Sequence, residues 1–139
     1  MEPAYQDHLP EDRRYTVEHV WALPDGAEAV CGITAYAQEQ LGEVVYVGLP
    51  EPGVRFAAGE CFGTVESMKS ASELYMPVTG EIASVNRSLE DQPDLVNAEP
   101  YGGGWIVRVR PDSPEDARSD LLLSAEGYRL LLRSLREAG

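Results

Sequence analysis

Val65-Glu66-Ser67-Met68-Lys69-Ser70-Ala71-Ser72-Glu73 is the stretch on which the reading of this chain turns. Before it, Glu60 to Glu66 is strand-like, and after it so is Ser72 to Tyr75. Ser67-Met68-Lys69-Ser70 lies between, so the spacing predicts a tight reversal with a lysine at its tip. Of the 11 basic residues, Lys69 is the one lysine and the rest are arginines. Arginine stays protonated and delocalised and cannot be acylated as an amine. A primary amine on a flexible stem, presented at a turn, is what amide attachment of a prosthetic group requires. Glu66 and Glu73 favour the charged amine, so a modifying enzyme must first remove its proton.

Outward from the lysine, the chain reads as short strands punctuated by turns. Tyr15–Trp21 alternates as a strand, Pro24-Asp25-Gly26 is a turn, and Glu28–Ile33 is a second strand. Thr34–Leu41 changes to helix formers, with Thr34 as N-cap and Gly42 just past the end. Glu43–Val47 and Glu81–Asn86 are strands, residues 88–100 read as an excursion, and Trp105–Arg110 puts Trp105, Val107 and Val109 on one face. Ser113-Pro114 starts a short helix. Tyr128, Leu131, Leu132 and Leu135 then make the apolar stripe of a C-terminal helix capped by Ser124. Pro50-x-x-Gly53 recurs as Pro77-x-x-Gly80, a faint echo of two β halves on either side of Lys69. Residues 1–14 read as a flexible arm and 15–139 as one domain.

Composition excludes several roles. Basic residues number 11 and acidic residues 24, a formal net charge of −13, which argues against nucleic acid and against an anionic membrane as partners. No apolar run reaches the length of a membrane span, and Met1–Arg14 has the character of neither a secretory signal nor a transit peptide. Cys31 and Cys61 sit in apolar runs and read as reduced core thiols. His8 and His19 have no partner at ligand spacing, so no metal site is expected. No nucleophile elbow or phosphate loop is present, and the scattered carboxylates read as a solvated surface.

The segment Glu66–Glu81 resembles the lipoylation segment of the glycine cleavage system H-protein family, usually Glu-Ser-Val-Lys-Ala. Gly32-Ile33-Thr34-Ala35-Tyr36-Ala37-Gln38, Leu41–Pro50 and Pro100-Tyr101-Gly102-Gly103-Gly104-Trp105 match its other signatures, and the resemblance covers residues 15–136. The lysine motif alone would say only lipoyl or biotinyl domain. Met68 and Ser70 replace the usual Val and Ala, and Val20 stands where the family has the Glu of His-Glu-Trp.

The resemblance implies a mainly β fold: a flattened, barrel-like β sandwich of the lipoyl/biotinyl type, with a short internal helix and a C-terminal helix. It implies a carrier rather than an enzyme, with lipoate joined to Lys69. The arm would take the aminomethyl group of glycine from the pyridoxal-phosphate-dependent glycine decarboxylase to the tetrahydrofolate-dependent aminomethyltransferase. A dihydrolipoyl dehydrogenase would then reoxidise it. Glu66, Ser67, Met68, Ser70 and Gly80 would be read by the lipoylating enzyme. Glu18 and Glu73 would line a cleft for the loaded arm, Glu18 being taken to share a strand face with Val20. A monomer in the cytoplasm is expected, or in the mitochondrial matrix for a processed eukaryotic chain. Carriage in another lipoate pathway or a lipoate relay, and an interaction domain with Lys69 unmodified, are the alternatives.

Overall fold

The computed structural model describes residues 9–138; the first eight residues of the expected arm lie outside that range. Nine strands run Arg14–Tyr15 (β1), Val20–Asp25 (β2), Glu28–Ile33 (β3), Val44–Gly48 (β4), Arg55–Phe56 (β5), Cys61–Ser67 (β6), Ala71–Tyr75 (β7), Gly80–Val85 (β8) and Val107–Pro111 (β9). They form two antiparallel sheets, one ordered β1-β2-β3-β9-β8-β5 and the other β4-β6-β7. The helices are α1 (Ala35–Leu41), α2 (Ser88–Asp91), α3 (Leu95–Ala98) and α4 (Ala125–Ala138), with a 3-10 turn at Pro114–Arg118.

The sheets face each other across one core. Val44, Val47, Phe62, Val65 and Leu74 from the small sheet meet Val20, Cys31, Ile33, Ile82, Val107 and Val109 from the large one. Burying each such side chain stabilises the fold by about 1.5–3 kcal/mol. This is the flattened sandwich that the sequence predicts, with the short internal helix and the C-terminal helix both present.

A second cluster lies on the outer face of β1 and β2. There Trp21 and Tyr15 pack under Tyr128, Ala125 and Leu132 of α4. Both faces of β2 are therefore buried, which is why Val20, Trp21 and Ala22 all lack solvent contact. The helix does not bury its predicted stripe to the end, since Leu135 is 39% exposed. Leu9 belongs to the same cluster, and Tyr15 Oη donates to the Pro10 carbonyl at 2.6 Å. The part of the expected arm that is described thus packs on the domain.

Four local expectations are corrected. The strand expected over Tyr15–Trp21 is broken into β1 and β2 by a turn at Thr16–His19. Thr16 Oγ1 accepts from the amides of Glu18 and Val20, and His19 takes a φ of 70°. Trp105 lies outside β9 and packs on the outer cluster, whereas Val107 and Val109 enter the main core. Cys61 is exposed, not a core thiol; Cys31 is buried. Residues 88–100 hold α2 and α3. The two Pro-x-x-Gly turns lead into β5 and β8, which pair with each other.

Candidate functional site

The Lys69 turn is closed by its own residues. Ser67 N–H donates to the Ser70 carbonyl at 2.8 Å, and Ser67 Oγ accepts from the amides of Lys69 at 3.3 Å and Ser70 at 3.1 Å. A serine that satisfies the loop's donors lets two residues, Met68 and Lys69, form the tip without outside support. Behind it, β6 and β7 pair from Glu66↔Ala71 to Cys61↔Tyr75. Lys69 is exposed, and Met68 is 85% exposed. Glu66, Ser67, Met68 and Ser70 are thus gathered at the lysine as expected. Gly80 is not: it is buried in β8, where a Cβ would collide with the Arg110 carbonyl. The close pairing of β8 and β9 explains a glycine there.

The lysine stem does not stand free. It lies across Gly42, just past the end of α1, where a Cβ would sit 3.2 Å from Lys69 Cε. Gly42 has a φ of 83°, a conformation open to glycine and poor for other residues. Asn97 holds this corner: its Nδ2 donates to the Gly42 carbonyl and to Gln38 Oε1, both at 2.8 Å, and its Oδ1 accepts from Val44 N–H.

Beside the hairpin opens a cleft of about 270 Å³. One wall is Ser70 of the turn with Ala71–Leu74 of β7. The other is α1, through Tyr36, Ala37, Gln40 and Leu41, and Glu18 and His19 line it as well, His19 beside Tyr36. That volume is near the lower end of the roughly 300–1,000 Å³ of small-molecule sites. Glu18 and Glu73 both line it, but Glu18 does not share a strand face with Val20 as expected. Glu18 reaches the cleft from the Thr16–His19 turn, while Val20 points into the main core. Glu73 accepts from Tyr75 Oη at 3.4 Å. The Glu73 carboxylate, with a smaller contribution from Glu18, pushes the Tyr75 phenol above its ordinary range.

Sequence reasoning missed His19 and Tyr128. The His19 ring lines the cleft, lies 4.7 Å from the Tyr36 ring, and bonds through Nδ1 to Tyr128 Oη at 2.7 Å. Tyr128 Oη also bonds Thr34 Oγ1 at 2.7 Å. Burial holds the His19 pKa below its ordinary value. The two partners are 109 positions apart, so no local spacing could have revealed the contact. Among the described residues, no group of three or more His, Cys, Asp or Glu could hold a metal ion, and no helix is long and apolar enough to cross a membrane.

A family model described as Glycine cleavage H-protein matches residues 13–134. A glycine cleavage system H protein of Thermus thermophilus is 53% identical over 126 residues, which is 91% of this chain and 97% of that protein. That of Myxococcus xanthus is 47% identical over 128 residues, 92% of this chain and 98% of that protein. A crystal structure of a glycine cleavage system H protein from Mycobacterium marinum superposes with a TM-score of 0.78 at 38% identity, over 86% of this chain and 95% of that one.

Proposed function

The chain belongs to the glycine cleavage H-protein family, and from that premise we propose that Lys69 bears the lipoyl group in amide linkage. The protein is a lipoyl carrier of the glycine cleavage system, not an enzyme. The observation that carries the assignment of Lys69 is the chain's one lysine at the exposed tip of a self-held turn, beside a cleft of ligand size. An acyl chain on that amine could fold back along α1, because the stem lies against Gly42, which directly follows Leu41 of the cleft wall. Once attached, lipoate supplies a disulfide that takes up an aminomethyl group with two electrons and is later reoxidised.

The chain's own residues would do the rest. The turn presents the amine to the lipoylating enzyme, with Glu66, Ser67, Met68 and Ser70 around it for recognition. Glu18 and Glu73 offer carboxylates to the ammonium of the loaded arm, each contact being partly exposed and worth on the order of 1 kcal/mol or less. Glycine decarboxylase, aminomethyltransferase and dihydrolipoyl dehydrogenase are the successive partners of a cytoplasmic monomer whose carrier domain takes in Leu9 and Arg14 along with residues 15–139. Tethering supplies the logic, since an arm held on one carrier meets each site at high effective concentration.

The test is transfer by a purified lipoylating enzyme. Wild-type protein gains one lipoyl mass, and Lys69→Arg gains none while keeping its melting temperature. Glu66→Ala gains lipoate more slowly, also with unchanged melting. Lipoylation of Lys69→Arg would refute the assignment.

A further inference from the structure

The hydrogen bonds behind the cleft run in one direction only. Thr34 Oγ1 accepts from Ala37 N–H at 3.2 Å and contacts Tyr128 Oη at 2.7 Å, its only side-chain partners among the described residues. Thr34 is fully buried, so its hydroxyl hydrogen must find an acceptor, and Tyr128 Oη is the one in reach. Tyr128 is fully buried too, and its own hydrogen is then left for His19 Nδ1. Nδ1 therefore accepts, and a neutral ring carries its hydrogen on Nε2. Among the described residues Nε2 has no partner.

The order of residues along the cleft says which end of an arm meets that donor. The Lys69 stem lies at Gly42, and the cleft runs back from Leu41 and Gln40 to Ala37, Tyr36 and His19. From position 42 back to 36 a helix covers roughly 9 Å, a distance an eight-carbon acyl chain spans. The sulfur end, not the amide, arrives at His19.

We propose that His19 is a donor to the arm's sulfur, and that Tyr128 on the C-terminal helix is the positioning residue that fixes it as one. This rests on lipoate being carried by Lys69. A donor aimed at sulfur favours the thiolate over the thiol. Glu18 and Glu73 face the same space and act in the opposite sense, and the Tyr36 hydroxyl, the Gln40 amide and the Ser70 and Ser72 hydroxyls line it as well. The imidazole thus offsets the two carboxylates that would otherwise hold the dihydrolipoyl sulfurs protonated. The left-handed backbone of His19 fits this role, since the turn is bent to put the ring there.

The test uses lipoylated, chemically reduced protein in a Cys61→Ser background, so that the exposed thiol does not contribute. The readout is the rate of arm alkylation by iodoacetamide against pH. His19→Asn keeps a residue type that tolerates positive φ, and Tyr128→Phe removes only the hydroxyl. Both are expected to raise the arm's thiol pKa and slow alkylation about threefold to tenfold near neutral pH, with the double variant no slower than either single one. Nitrogen NMR of the His19 ring should show hydrogen on Nε2 in the wild type, and loss of that preference in Tyr128→Phe. Equal alkylation profiles for wild type and both variants, or a wild-type ring protonated on Nδ1, would overturn the proposal alone. An intact mass without lipoate on Lys69 would overturn both it and the function on which it rests.

Discussion

Two turns border the cleft, and they are held in opposite ways. Ser67–Ser70 is closed by bonds among its own residues. Thr16–His19 is bent by Thr16 but fixed from outside: Thr34 N–H donates to the His19 carbonyl, and Tyr128 holds the His19 ring. The first takes the shape of its tip from these bonds, with β4 alongside only at its base through Val44↔Ser67. The second needs the finished fold, including the last helix. The lysine's presentation is thus local, and the cleft that would receive its arm is global.

That contrast makes Tyr128→Phe the substitution with the larger cost. It strips a buried hydroxyl of two bonds and leaves Thr34 and His19 each short of a partner, a loss of about 1–3 kcal/mol. Equilibrium unfolding in urea measures it. A loss indistinguishable from zero would show that the Thr16–His19 turn needs no outside support.

Acidification should act on the same turn. Burial holds the His19 pKa below its ordinary 6.5. As pH falls below that value, the unfolded chain takes up a proton before the folded chain does, so stability is complete above it and declines toward the lower, folded value. The urea midpoint of wild type is expected to fall between about pH 7.5 and about pH 5.5 by more than that of His19→Asn. Equal falls would place the acid sensitivity elsewhere.

Ser67→Ala sharpens the comparison from the other side. The turn is exposed, so water replaces the lost bonds, and the change should cost at most about 1 kcal/mol. Lipoylation should slow, because the tip loses its fixed shape. A cost greater than that of Tyr128→Phe would reverse the ranking of the two turns. Smallest is the effect of salt: with a net charge of −13, the apparent KM of the decarboxylase for the carrier should rise as the Debye length drops from about 10 Å at 0.1 M salt. A flat KM would mean that long-range charge plays no part in the encounter.

What the sequence made legible follows the same division. The hairpin, the cap of α1 at Thr34 and the 3-10 turn at Ser113 depend on residues within a few positions, and all three stand as read. Glu18 and Glu73 do share the cleft, yet Glu18 reaches it from a turn and not along a strand face. An alternating pattern carries no sign that Thr16 will capture two amides and end the strand. His19 gave no signal because its partner lies on the last helix. Gly80 lies in the segment that resembles the family, and nothing near it in the sequence signals its close approach to the Arg110 carbonyl across β8 and β9. Cys61 looked like core because its neighbour Phe62 is; in a strand with one face in solvent, adjacent residues part ways.

The most direct test of the carrier role is the mass of the Lys69-containing peptide from protein made in its native host. One lipoyl group on Lys69 and none elsewhere is the predicted result. Active carrier with Lys69 unmodified would contradict it.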